Sequence, residues 1–399
     1  MKKIVLIMLV VFAGICCKGQ TWMPLNSGIT IGLHDLYFTS INTGFAVGDL
    51  GTIIKTNNAG ASWYSLSSGS SMYLSTLIFT DSLTGYAGGD GGVILKTGDG
   101  GLTWAQCNTG SSSNIRYLGF INSNTGYAIG NTGTILYTTN GGVTWIQQTS
   151  GTLNALYTIS FLTPTTYIIC GDNGTILKTT NSGATWLPLA SPTTHGLWYC
   201  CFTNSLIGYC VGDVGTIVKT MDGGTTWTIL NSGSFDYFTS VKFQNATTGF
   251  AIGGNVGFNT STIIKTIDGG TTWTAQPSSS SRQYGSYFTA NAGYSCGLDG
   301  TILKLSANPV SGDGINENEN NISCTVFPNP STGKTIISFE NNFDKKQIKI
   351  INALGQIVSS DETDNTSYTV DLSNQPTGIY FAEIKTQKGT VTKKIVLGE

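Results

Sequence analysis

A unit of about 41 residues, repeated along a ladder of tryptophans, limits what this chain can fold into. Trp22, Trp63, Trp104, Trp145, Trp186 and Trp227 are each 41 residues apart, and Trp273 follows after 46. The units end in one phrase: GTIIKTNNAGASW (51–63), GGVILKTGDGGLTW (91–104), GTILYTTNGGVTW (133–145), GTILKTTNSGATW (174–186), GTIVKTMDGGTTW (215–227) and STIIKTIDGGTTW (261–273). A seventh copy, GTILKL (300–305), stops before its turn. Self-similarity at this period marks a propeller whose blades hold about four strands each.

Three more regularities place the strands. An apolar run ends in Phe at 38, 79, 120, 161, 202, 243 and 288, and a polar turn then leads to a TGYA-like strand such as TGFAVG (43–48) or TGYAIG (125–130). A tight turn opens the GTILK strand, and the Trp strand completes the unit. Period-two alternation bounded by Gly and Asn or Asp is the strand and hairpin signal. The first three strands occur seven times, but the last copy lacks its fourth. Residues 21–25, with Trp22 in the Trp-strand position, stand alone at the mature N-terminus. The expected fold is all-β: a seven-bladed β-propeller closed by the N-terminal strand, which pairs beside residues 301–305 and leaves no open edge.

The turns have a physical reading. Asn58, Asp99, Asn140, Asn181, Asp222 and Asp268 accept N–H groups of their own turns, and the glycines two residues on take positive φ. These positions are structural rather than catalytic or calcium-binding. Lys55, Lys96, Lys178, Lys219, Lys265 and Lys304 recur at one strand position and read as solvated guards against strand addition.

The pattern S/T-x-D-x-G-x-T-W is the Asp-box of bacterial neuraminidase repeats. The longer G-T-I-x-K-T-x-D-G-G-x-T-W phrase, with its TGYAVG strand, resembles the photosystem II stability/assembly factor family and its non-photosynthetic relatives. The resemblance covers residues 21–305. It implies a propeller that acts as a protein-binding scaffold, without carrying over the photosystem role.

From residue 306 the composition changes. SANPVSGDGINENENN (306–321) is polar and acidic, a linker. Residues 322–399 have no 41-residue repeat and read as a small C-terminal β-sandwich. PNPSTG (328–333), ALGQIV (353–358), GIYF (378–381) and a terminal KKIVL (393–397) resemble the C-terminal sorting domain of the type IX secretion system. That resemblance implies the type IX machinery as a partner, passage through the periplasm, and release or cell-surface attachment after tail removal.

The front of the chain agrees with export. Lys2 and Lys3 precede an apolar run at 4–15 that is short for a membrane span, so residues 1–20 read as a signal peptide and not a transmembrane segment. A lipoprotein signal at Cys16 or Cys17 would need a small residue where Ile15 and Cys16 stand. Seven cysteines remain after cleavage, odd in number and irregular in spacing. Cys170, Cys210 and Cys296 replace Ala, Val or Ile of other copies and read as small buried hydrophobes; if any pair bridges, Cys201 and Cys210 are the expected one. Two histidines and no CxxC predict no metal and no cofactor. A net charge of -2 provides no field for nucleic acid.

Catalysis finds few residues. Glutamate is absent before Glu317, and most of the propeller's eleven aspartates sit in repeated turns. A sialidase needs an arginine cluster and a Tyr/Glu pair, which this chain lacks. A glycosidase needs two carboxyl groups roughly 5–9.5 Å apart, for which Asp35 and Asp236 are the available pair. The preferred reading is a non-catalytic scaffold that binds a glycan, peptide or protein, with a glycoside hydrolase as the alternative. Four residues before each Phe the repeat varies as His34, Ser75, Arg116, Tyr157, Trp198, Thr239 and Tyr284. Around them stand Asp35, Tyr73, Tyr117, Tyr199, Asp236, Tyr237 and Arg282. A fold alone does not require His, Arg, Tyr and Trp at one repeated place. The predicted ligand contacts are therefore His34, Asp35, Arg116, Tyr157, Trp198, Asp236, Tyr237, Arg282 and Tyr284. The five-residue excess at 254–260 is expected to lengthen a loop on the same face.

Overall fold

The computed structural model describes residues 21–278, 280–289, 292–305, 324–327, 331, 333–339, 345–352, 356–386 and 389–398. The expected signal peptide and linker lie outside the described residues. The chain divides into two compact units, Met1–Pro309 and Val310–Glu399.

Among the described residues of the first unit there are seven four-stranded antiparallel sheets. In the first, Leu33–Phe38, Gly44–Gly48, Ile53–Thr56 and Tyr64–Leu66 pair in chain order, and the next five repeat this plan. The last sheet holds Gln283–Phe288, Gly293–Gly297 and Ile302–Leu305, and its fourth strand is Trp22–Leu25. There Trp22 lies opposite Leu305 and Leu25 opposite Ile302. Second strands are buried throughout, as in Gly44–Gly48, because both of their faces are covered by neighbouring sheets.

Aromatic layers join several sheets to the next. In these the Phe that ends a first strand stacks on the aromatic of the preceding sheet's second strand: Phe79 on Phe45 at 4.5 Å, Phe120 on Tyr86 at 4.3 Å and Phe243 on Tyr209 at 4.3 Å. Its own sheet's tryptophan meets it edge-on, as Trp104 meets Phe79 at 6.1 Å. Phe38 of the first sheet stacks in the same way on Tyr294 of the last, at 4.1 Å. The ring of Phe38 also explains why this strand begins with Gly in six of the seven sheets, since a Cβ on Gly44 would lie 2.6 Å from it, whereas the fourth sheet begins with Tyr167.

The recurring lysines are not solvated guards. Lys55 Nζ donates to the carbonyl of Gly100 (2.8 Å), Lys96 to Gly141 (2.7 Å), Lys178 to Gly223 (2.8 Å) and Lys219 to Gly269 (2.8 Å). Each acceptor lies in the Asp-box turn of the following sheet. Tyrosines of second strands reach the same turns, as Tyr86 does to Gly141 at 2.9 Å. Lys304 and Tyr294 of the last sheet both donate to Ala59, in the first sheet's turn (3.1 and 3.0 Å). A turn carbonyl with no ladder partner is thus satisfied by a charged donor from next door. Lys96→Met is expected to lower stability by about 1–2 kcal/mol in urea unfolding; a solvated guard would leave the midpoint unchanged.

The Asp-box turns are held internally. Asp99 accepts from the backbone N–H (2.9 Å) and hydroxyl (2.6 Å) of Thr103, and those bonds bring its carboxyl down to about 2. Cysteine pairing departs from expectation. Register places Cys200, not Cys201, opposite Cys210, and Cys201 faces Tyr209 instead. The excess at 254–260 does not make an irregular loop. It extends the sixth sheet's hairpin, pairing Gly254 with Ser261 and Asn255 with Thr260.

In the second unit, a three-stranded sheet (Cys324–Phe327, Lys334–Phe339, Ser367–Asp371) and a four-stranded one (Lys346–Asn352, Ile357–Thr363, Gly378–Thr386, Gly389–Leu397) share one core. Ile337, Phe339 and Val370 from the first sheet and Ile348, Ile350, Ala382 and Ile384 from the second are buried in it. Lys334–Phe339 alternates exposed and buried, as a strand with one covered face requires.

Candidate functional site

Every first strand in the propeller unit carries a register shift at one place. It falls between Leu33 and Asp35, Leu74 and Thr76, Ile115 and Tyr117, Leu156 and Thr158, Leu197 and Tyr199, Phe238 and Ser240, and Gln283 and Gly285. The skipped residues are His34, Ser75, Arg116, Tyr157, Trp198, Thr239 and Tyr284, the variable set read from the repeat. A bulge frees one residue from the ladder and re-aims its side chain. Here all seven are turned toward one cavity of about 400 Å³ and line it.

Four of these side chains are fixed at their tips by a device that recurs fifteen residues on. His34 Nε2 meets Asp49 Oδ1 at 2.8 Å, Arg116 Nε donates to Asn131 Oδ1 at 3.0 Å, and Tyr157 Oη donates to Asp172 Oδ1 at 2.8 Å. Trp198 Nε1 donates to Asp213 Oδ1 at 2.5 Å. Each acceptor opens the tight turn after its sheet's second strand. Those turns need glycine at their third position: a Cβ on Gly51 would lie 1.9 Å from the carbonyl oxygen of Ser70. Sequence reading gave these aspartates a turn role alone, although the constant spacing of fifteen was there to find.

Two aromatic groups result. Tyr157 and Trp198 stack at 4.2 Å with 17° between planes. His34 sits between Tyr73 (4.2 Å) and Tyr284 (4.8 Å). Both Trp198 and Tyr284 are partly exposed on the cavity wall, not buried between sheets. Burial holds the His34 imidazole below its usual pKa, against the Asp49 carboxylate and with help from Arg116 and Arg282. The ring therefore stays neutral near pH 7. Arg282 lies over the Tyr284 ring at 4.9 Å and donates to its hydroxyl, while its Nε has no partner. Tyr117 and Tyr199 also line the cavity, and Lys242, outside the lining, donates to the Tyr199 hydroxyl, which meets Tyr117 at 3.4 Å.

Of the nine predicted contacts, eight line this cavity: His34, Asp35, Arg116, Tyr157, Trp198, Tyr237, Arg282 and Tyr284. Asp236 is not among its lining residues. Its carboxylate accepts from Asn255 (2.7 Å) and Thr262 (2.6 Å) of the extended hairpin. The sixth sheet lacks the tight turn that follows the second strand in the other six, and Asp236 ties its hairpin down instead. That hairpin contributes Val256 to the cavity, a contact the sequence did not single out; Phe258 is 82 % exposed and lies outside the lining.

Asp35 is the one carboxylate in the wall, and its oxygens are engaged. Oδ1 accepts the N–H of Leu36 (2.9 Å) and Oδ2 that of Leu77 (2.8 Å). Burial outweighs these bonds and the Lys242 charge and raises its carboxyl to about 6. The folded chain then binds more protons than the unfolded one between about pH 4 and 6, so this group's contribution to stability falls as pH rises through that window. His34, whose pKa is lowered, acts in the opposite sense over part of the range. The difference between wild type and Asp35→Asn isolates the carboxyl: urea unfolding should show about 2–3 kcal/mol lost from pH 4 to 7 in the wild type relative to the variant. Parallel profiles would mean that Asp35 titrates normally.

Residues 104–194 match the family described as photosynthesis system II assembly factor YCF48, and residues 325–398 match the secretion system C-terminal sorting domain. Curated proteins give no match. The structure titled YCF48 bound to D1 peptide is similar with a TM-score of 0.61 at 19% identity, covering 72% of this chain and 95% of that one. YCF48 from Cyanidioschyzon merolae gives 0.61 at 19% identity, covering 72% and 99%. The GH74 enzyme of Niastella koreensis gives 0.59 at 14% identity, covering 95% of this chain and 75% of that one. At these identities the structural likeness speaks for fold alone. No helix among the described residues is long and apolar enough to cross a membrane. The sorting-domain match implies secretion or an outer-surface location. The chain joins an all-β propeller similar to photosystem II assembly factors to a segment like the sorting domains of type IX secretion.

Proposed function

We propose that residues 21–305 form a seven-bladed propeller closed by the N-terminal strand, and that it is a non-catalytic scaffold binding a glycan, peptide or protein partner on its channel face. Residues 322–399 would form the small β-sandwich that hands the chain to the secretion machinery by way of the periplasm, with 306–321 as linker and 1–20 as signal peptide. The pairing of Trp22–Leu25 with Ile302–Leu305 and the bonds from Lys304 and Tyr294 to Ala59 support the ring. The observation that carries the binding reading is the set of seven bulges, each turning a variable residue of its repeat into a shared cavity. Stacked aromatic faces suit a sugar ring or a peptide side chain, and the two guanidinium groups suit an anionic group on it. The peptide complex of a similar propeller favours a protein segment among these ligands.

A glycoside hydrolase is the second reading, favoured by the likeness to the GH74 enzyme. Its carboxylate pair is the weak point, because both oxygens of Asp35 and of Asp236 already accept hydrogen bonds. Glycan and peptide arrays, together with a polysaccharide turnover assay, separate the two. Retention of a glycan or peptide without turnover supports the scaffold. Turnover that is lost in Asp236→Asn would establish the enzyme.

A further inference from the structure

Three sulfurs meet inside the propeller, away from the channel. Cys170, Cys200 and Cys210 have Sγ atoms all within 4.8 Å of one another, and Cys170 Sγ lies 3.3 Å from Cys210 Sγ. Cys170 belongs to the second strand of the fourth sheet, Cys200 and Cys210 to the first two strands of the fifth. All three are buried, packed with Ile168, Ile176, Leu197, Val218 and Trp227. We propose that Cys170 and Cys210 are the chain's disulfide, a covalent staple between two adjacent sheets, with Cys200 as the neighbouring free thiol.

Closing a disulfide needs a sulfur separation of about 2.05 Å, so the two thiols have about 1.3 Å left to travel. Formation removes two electrons and two protons from the pair, which pass to a disulfide donor and reduce it to two thiols. The chemistry of the cluster favours this over a bound metal. Three thiolates in an apolar core would be costly, and burial raises the thiols of Cys200 and Cys210 well above their usual range. A structural zinc site takes four ligands, and the cluster offers three. A disulfide is neutral and leaves the core apolar. Burial also works against the Cys170 thiolate, but hydrogen bonds from Cys200 and Cys210 outweigh it and bring that thiol down to about 6. In exchange, the thiolate of one of the pair attacks a mixed disulfide carried by the other.

The proposal rests on the reading of export for its oxidant, so the test is run in two ways. Full-length protein is purified from an oxidising compartment, and separately refolded in a glutathione redox buffer. Each sample is denatured without reductant, alkylated with iodoacetamide and mapped by mass spectrometry. The expected result is one crosslinked peptide pair joining positions 170 and 210, with Cys200 alkylated. Reduction should lower Tm by about 5–10 °C. Cys170→Val and Cys210→Ala place residues that other repeats carry at these positions; they should lose the crosslink and the response of Tm to reductant, while Cys200→Ser keeps both. A crosslink in the refolded sample alone would sink the compartment and leave the pairing standing. Three alkylated thiols in both samples would overturn the proposal. So would a crosslink through Cys200 or Cys201, or one equivalent of zinc or copper held until chelation.

Discussion

Trp22→Ala is expected to lower unfolding free energy by about 3–5 kcal/mol, the cost of removing a buried tryptophan from an aromatic cluster. The indole is 5% exposed and meets Phe250 at 5.8 Å and Phe288 at 6.2 Å, both edge-on. Phe250 belongs to the sixth sheet and Phe288 to the seventh, so one side chain from the front of the chain joins two sheets from its end. Its strand also supplies the last sheet's fourth strand. Thermal and urea unfolding would measure the loss. Met23→Ala is the control: Met23 shares the strand but is 54% exposed, and its effect should stay within about 0.5 kcal/mol. Equal, small effects at both positions would mean that the strand does not complete the ring.

The second large effect is on binding. Trp198→Ala removes one plane of the Tyr157–Trp198 stack and leaves Asp213 without its indole donor. Affinity for the retained ligand should fall about 30-fold or more, as for aromatic anchors at interface centres. Arg116→Ala should cost about as much if the ligand carries an anionic group, and its loss should shrink as salt rises. Phe258→Ala, outside the cavity lining, should change affinity less than about twofold. Titration calorimetry at two salt concentrations reads all three. A loss confined to Phe258→Ala would move the site to the hairpin tip.

The strands were legible because each blade carries the same signals, and seven copies average out local ambiguity. The side-chain partners were less so. A repeated lysine announces that it has one job, but its acceptor lies 45 residues on, in the next unit, and nothing within one repeat points there. The bulges explain the variable set only after pairing is known, because a one-residue slip turns a strand's side chains to the other face. The same parity would have identified Cys200: two residues before its Phe, it occupies the inward place held by Leu36, Leu77 and Leu118 elsewhere. Asp236 misled because the sixth unit differs from its siblings. Its longer hairpin brings Asn255 and Thr262 onto a carboxylate that would otherwise have stood free.

Hydrogen–deuterium exchange with and without the recovered glycan or peptide tests the binding face most directly. Slowed exchange should appear in peptides spanning 113–118, 155–160, 196–201 and 281–287, the bulged strand entrances. Protection confined to the Asp-box turns at 57–62, 98–103 and 221–226, with the bulged strands unchanged, would contradict a channel-face site.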